Sequence, residues 1–175
     1  NKTMLSQVKK VTQTLTKKTS LNKNDLVLDI ASNDGSLLNF YSKNVVKIGI
    51  DPILNKYKQN YRNIKYAIPN FFSAREVKKK TKRKFKIITA LSVFYDAESP
   101  NKFLNDVKNL LMPDGVFLVE FADLASILKF KMFDTICHEH IEYYSSKVIL
   151  NLASKNGLRV FDIKENKING GSKQY

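Results

Sequence analysis

Tryptophan is absent from the 175 residues, and cysteine occurs once, at Cys137. A lone cysteine excludes an internal disulfide and any Cys-rich zinc site. The reducing cytoplasm is then the expected compartment. Histidine is nearly as scarce, with only His138 and His140. No apolar run approaches the roughly 18 residues of a membrane span, so no membrane partner is expected. No signal-peptide pattern opens the chain. Glycine is thin, six in all, and the G-x-G-x-x-G fingerprint is missing. Its absence argues against a nicotinamide oxidoreductase. Acidic residues are the minority charge, 16 against 30 basic, giving a formal net charge of +14.

What is present fits one globular domain over residues 1–175. Hydrophobic residues make up 43% and charged residues 26%, a composition that excludes wholesale disorder. The chain opens on Asn1 rather than Met and stops at Tyr175 in what reads as mid-strand. It is expected to be an excised domain of a longer protein. The basic residues are nearly all lysine, with only Arg62, Arg75, Arg83 and Arg159 as arginines. Arginine is the better reader of bases and phosphates. The densest run, Lys78-Lys79-Lys80-Thr81-Lys82-Arg83-Lys84, carries no aromatic. It reads as a solvated surface rather than a nucleic-acid groove. An anionic small substrate would gain from the same field.

Residues 3–18 read as an amphipathic helix on Met4, Val8, Val11 and Leu15. Strands are predicted at Asp25–Ile30, Val45–Ile50, Asn63–Ile68, Phe85–Leu91, Val116–Phe121 and Leu158–Ile163. Pro52 is placed to open a helix. Further helices are predicted at Pro100–Leu111 and Ser145–Asn156, the latter stopped by Gly157. Met112-Pro113-Asp114-Gly115 and Asn169-Gly170-Gly171 read as turns, and residues 122–144 as less regular. Strands alternating with helices predict an α/β sandwich around a mostly parallel sheet.

In such sheets ligands sit beyond the carboxyl ends of the strands. Asp29 closes the first strand, and the turn Ala31-Ser32-Asn33-Asp34-Gly35 follows. Gly35 is expected to let backbone approach a ligand. Asp51 ends the second strand about 20 residues after the turn, where a carboxylate can accept both hydroxyls of a ribose. Asn70 and Phe71 follow the third strand, where an adenine would lie. The missing pyrophosphate cradle is compatible with S-adenosylmethionine, which has no pyrophosphate. The competing reading is that Asp29 and Asp51 merely cap helices.

Asp29-Ile30-Ala31-Ser32-Asn33-Asp34-Gly35-Ser36-Leu37-Leu38 resembles the first motif of the sugar C-methyltransferases, a class I S-adenosylmethionine-dependent family. Gly49-Ile50-Asp51-Pro52 resembles its ribose motif, and residues 111–117 its helix-to-strand turn. Phe133 through Ser145, with Cys137-His138-Glu139-His140 inside, resembles the catalytic signature. Asn169-Gly170-Gly171-Ser172 resembles the start of the last core strand. Cys137 stands where many members carry tyrosine. The resemblance runs from about Asp25 onward. It implies a Rossmann-like sheet of seven strands with the last antiparallel, here truncated. It implies cofactor contacts at Asp29, Ala31, Ser32, Asn33, Gly35, Asp51, Pro52, Asn70, Phe71 and Leu91, with S-adenosylhomocysteine as product. The implied substrate is a nucleotide-linked 4-keto-deoxysugar, methylated at carbon. The zinc-binding and C-terminal domains of full-length members are missing here.

Carbon methylation needs a base beside the ketone, and histidine is the usual one near neutral pH. The resemblance gives that role to His140. Glu139 would orient or polarise, and Tyr143 or Tyr144 would donate to the enolate oxygen. In a strand, His138 and His140 would share a face and could pair on a metal. H-E-x-x-H is absent, however, and no metal is expected. The alternatives are a methyltransferase for RNA or another macromolecule, suggested by the net charge, and a non-catalytic domain that only binds the cofactor or a partner.

Overall fold

The structure is a computed structural model that describes residues 2–166 and 172–175. The predicted Asn169-Gly170-Gly171 turn lies outside these residues. Helix α1 (Lys2–Thr19) buries Val11 and Leu15, one turn apart, and Lys17 and Lys18 sit at its C-terminal end. Cations there complement the helix dipole.

The strands are β1 (Leu26–Ile30), β2 (Val46–Ile50), β3 (Tyr66–Ile68), β4 (Phe85–Leu91), β5 (Leu111–Ala122), β6 (Lys164–Asn166) and β7 (Ser172–Gln174). They form a seven-stranded sheet in the order β3-β2-β1-β4-β5-β7-β6. β1, β2 and β3 pair in parallel. β7 runs antiparallel to both β5 and β6. All five residues of β1 are buried, as a parallel strand covered on both faces requires. The expected α/β class and the antiparallel end are both present.

The remaining helices are α2 (Ser36–Asn39), α3 (Ala74–Lys78), α4 (Pro100–Leu110), α5 (Leu124–Phe130) and α6 (Ser146–Lys155). The α4 stripe buries Leu104, Val107 and Leu110. α6 stops at Gly157, whose φ of 69° is left-handed, with Leu158 N–H returning to the Ala153 carbonyl at 2.9 Å. A helix ends cheaply on glycine in that conformation.

Several predicted boundaries move. Leu158–Ile163 is not a strand, and β6 forms at Lys164–Asn166 instead. Polar anchoring explains the shift. The buried Glu120 carboxylate accepts from Asn166 Nδ2 (3.0 Å), Ser172 Oγ (3.0 Å) and Gln174 Nε2 (2.6 Å). Those bonds set where the hairpin pairs, against the apolar alternation of 158–163. Met112–Gly115 is not a turn outside the sheet but the opening of β5. A Cβ on Gly115 would come within 2.8 Å of the Phe85 carbonyl, so the close approach to β4 needs that glycine. β3 starts at Tyr66, three residues late. No helix opens at Pro52; a 3-10 segment spans Leu54–Tyr61 instead. The stretch after residue 122 contains α5, capped by Asp123, whose carboxylate accepts from Ser126 N–H at 3.2 Å.

Two compact units divide the chain. The first runs to Thr89 and includes Asn109–Phe117, and the second holds Ala90–Lys108 and Leu118 onward.

Candidate functional site

In the first unit Asp29 is the penultimate residue of β1, and a turn follows through residues 31–35. Ala31 and Asn33 are left-handed without being glycine, with φ of 55° and 45°. Such a conformation costs on the order of 1 kcal/mol at a residue with a Cβ, and it gathers at functional sites. Asp51 holds the turn: its Oδ2 accepts Asn33 N–H at 2.9 Å and its Oδ1 accepts Ile53 N–H at 2.8 Å. It therefore ties loop backbone on both sides, and it caps no helix, since the 3-10 segment after it starts at Leu54 with Ile53 as its cap position. Each carboxylate oxygen keeps a further lone pair for a ligand hydroxyl.

Gly35 has a φ of 74°, and the space beside it is filled, because a Cβ there would meet Tyr61 and Ile64 side chains at 3.1 Å. On that side the glycine admits Tyr61 and Ile64. Tyr61 is buried, and its hydroxyl lies 2.8 Å from Ser32 Oγ and 2.9 Å from the Asn33 carbonyl. Ser32 N–H in turn reaches the Ile50 carbonyl at 3.3 Å. Tyr61 thus pins the turn from below. No spacing rule points to a tyrosine ten residues after Asp51, so the sequence does not single it out. Pro52 is exposed, and Asn70 and exposed Phe71 follow β3 in the chain, where the Asn70 side chain accepts Phe71 N–H at 2.8 Å.

Asp29 is 4% exposed, and Thr89 Oγ1 donates to it at 2.6 Å. Burial, opposed by the Thr89 bond and reinforced by the charges of Asp51 and Asp34, pushes its pKa up to about 7. Thr89 is the lone hydroxyl in Phe85–Leu91, and that is the signal by which the sequence could have marked it. Among the described residues, none of Asp29, Asp34 and Asp51 is paired with a lysine or arginine, in a chain of net charge +14. A buried carboxylate with only a neutral donor calls for a cation. S-adenosylmethionine carries two, a sulfonium and an ammonium, together with a ribose diol. The donor set of this turn fits that group.

In the second unit, Leu91 ends β4, and a 3-10 turn, Phe94–Asp96, follows. The His138-Glu139 pair lies in a turn rather than a strand, closed by His140 N–H on the Cys137 carbonyl at 3.2 Å. The two histidines therefore do not share a strand face. His138 and Glu139 are exposed and His140 is half-buried. His140 Nδ1 lies 2.8 Å from the Thr135 carbonyl. A carbonyl only accepts, so Nδ1 is the donor in this contact, and among the described residues no hydrogen bond engages Nε2. The Tyr95 ring packs on His140 at 4.1 Å between centroids.

Tyr143 is half-buried, and its hydroxyl receives Cys137 N–H at 3.3 Å while facing the Thr135 carbonyl at 3.4 Å. Tyr144 is 4% exposed, and its ring packs on Phe94 and Phe121 at 5.1 and 5.8 Å. Its hydroxyl is buried without a hydrogen-bond partner. Burial, reinforced by the Glu142 charge, pushes its pKa up to about 12. Cys137 is a free thiol. Among the described residues no three His, Cys, Asp or Glu side chains gather as metal ligands.

Comparison with known proteins accords with this geometry. The profile of the family described as "Methyltransferase domain" matches residues 3–163. The C-methyltransferase NovU of Streptomyces niveus is 31% identical over 174 residues, covering 97% of this chain and 41% of that protein. The chain thus spans about two fifths of that relative. An S-adenosylmethionine-dependent methyltransferase from Clostridium acetobutylicum superposes with a TM-score of 0.71 at 14% identity, covering 95% of this chain and 88% of that one. The magnesium protoporphyrin IX methyltransferase of Synechocystis, solved with bound S-adenosylhomocysteine, gives 0.69 at 14% identity, covering 98% and 81%. These last two establish likeness of fold. The chain belongs to the family described as "Methyltransferase domain".

Proposed function

We propose that the domain methylates a carbon beside the ketone of a nucleotide-linked 4-keto-deoxysugar, with His140 as the base. The observation that carries this is the 2.8 Å contact of His140 Nδ1 with the Thr135 carbonyl; with Nδ1 as donor there, Nε2 is the ring nitrogen offered to a substrate proton. The name of the NovU relative, a C-methyltransferase, supports transfer to carbon.

The cofactor supplies an electrophilic methyl group. The side chains do the rest. Asp51 accepts the ribose hydroxyls, and Asp29 offers negative charge to a cationic group. Ala31, Ser32, Asn33 and Gly35 shape the turn, and Pro52, Asn70, Phe71 and Leu91 complete the cofactor contacts. His140 Nε2 removes the proton beside the ketone, Glu139 orients substrate or imidazole, and Tyr143 donates to the enolate oxygen. Tyr143 suits that role better than Tyr144, whose ring belongs to the core. No helix among the described residues is long and apolar enough to cross a membrane. With its single free cysteine, the domain is assigned to the cytoplasm.

The test is methyl transfer to a nucleotide-linked 4-keto-deoxysugar by the full-length protein. His140→Ala is expected to lower kcat on the order of 10²-fold or more while S-adenosylhomocysteine still binds. Normal turnover by that variant refutes the base assignment.

A further inference from the structure

Tyr95 belongs to none of the sequence motifs, yet it makes the closest ring contact to His140. We propose that Tyr95 is a positioning residue for His140, its ring fixing the plane in which the imidazole presents Nε2. This rests on the reading of His140 as the base.

Three observations carry it. First, the turn holding Tyr95 is itself rigidly set. Phe94 is 1% exposed and packs against Phe103 at 5.2 Å and Phe121 at 6.2 Å. Ser92, just before it, is left-handed at φ 54° and gives its N–H to the Glu120 carbonyl at 2.8 Å. A non-glycine held in that conformation marks a place where the surroundings dictate the backbone. Second, the turn grips the histidine segment twice, through the ring contact at 4.1 Å and 48° and through Glu142 N–H on the Tyr95 carbonyl at 3.0 Å. Third, the Thr135 carbonyl holds Nδ1 at 2.8 Å. One hydrogen bond leaves the ring free to swing about it; a ring face at van der Waals distance removes that freedom.

With only two histidines in the chain, their imidazole C–H signals are resolved by NMR, and His138→Asn assigns them. In Tyr95→Leu the ring-current displacement of the His140 signal is expected to vanish, and in Tyr95→Phe to persist. On the nucleotide-linked 4-keto-deoxysugar, kcat is expected to fall about tenfold or more in Tyr95→Leu. It should stay within about threefold of wild type in Tyr95→Phe, with KM for S-adenosylmethionine unchanged in both. Circular dichroism matching the wild type shows that each variant is folded. An unmoved His140 signal in folded Tyr95→Leu overturns the proposal, as does wild-type kcat there beside an inactive His140→Ala. Full activity of His140→Ala instead overturns the base assignment on which the proposal rests.

Discussion

Gly49 has no room for a side chain. A Cβ there would stand 2.7 Å from Ser32 Oγ and 2.8 Å from Tyr61 Cε1. Gly49→Ala is expected to destabilise by about 2 kcal/mol and to weaken S-adenosylhomocysteine binding, because Ser32 and Tyr61 frame the turn; urea unfolding and calorimetry read the two effects. Tyr61→Phe deletes the hydroxyl that bonds Ser32 and Asn33, and about 1 kcal/mol of stability should go with it. Asp29 and Asp51 could be picked out in the sequence because each is a charge closing an apolar strand. Tyr61 could not, since its partners lie 28 and 29 residues away and nothing local marks it. A glycine in a turn has two physical uses, backbone approach to a ligand and room for a neighbour's side chain, and at Gly35 the room for Tyr61 could be seen only in the fold. His140 was visible by its rarity, but its contact with the Thr135 carbonyl needed the fold.

The strands of the first unit could be read from their apolar runs, since burial on both faces leaves little choice of residue. The end of the sheet could not, because β6 and β7 are three residues each and are held by buried carboxylates. Asp123 is 0% exposed and meets Lys173 Nζ at 3.1 Å. Ser146 Oγ and the Tyr175 hydroxyl reach it at 3.2 and 3.3 Å. Burial works against its charge, but the Lys173 bond, with Ser126 and Ser146, holds its pKa below the usual carboxylate range. A depressed carboxylate stabilises above its unfolded pKa and loses that contribution as pH falls. Lys173→Met, which strands the buried charge, should cost about 3 kcal/mol at neutral pH. The cost should shrink in acid as Asp123 takes up a proton. Denaturant midpoints at two pH values check this.

The net charge of +14 conceals a local reversal, and that reversal governs how the whole molecule responds to pH. Arg83 and Lys84 of the basic run donate to the backbone carbonyls of Asn24 and Asn109, so part of that run serves the fold. Among the described residues Asp29, Asp34 and Asp51, gathered at the turn after β1, have no lysine or arginine partner. Asp29, with a pKa near 7 against 3.8 for the free side chain, binds a proton more tightly in the folded state. The stability it contributes is therefore full below pH 3.8 and is lost as pH rises through about 7. A cationic ligand reverses the balance, since it favours the ionised carboxylate. The most direct measurement is calorimetric titration of the domain with S-adenosylmethionine at pH 5.5 and pH 8, in wild type and Asp29→Asn. Saturable one-site binding that tightens on the order of tenfold between the two pH values in wild type, and stays flat in Asp29→Asn, is the predicted result. A wild-type affinity that is flat across that range, or no binding to folded protein, would contradict the assignment of this turn as the cofactor site.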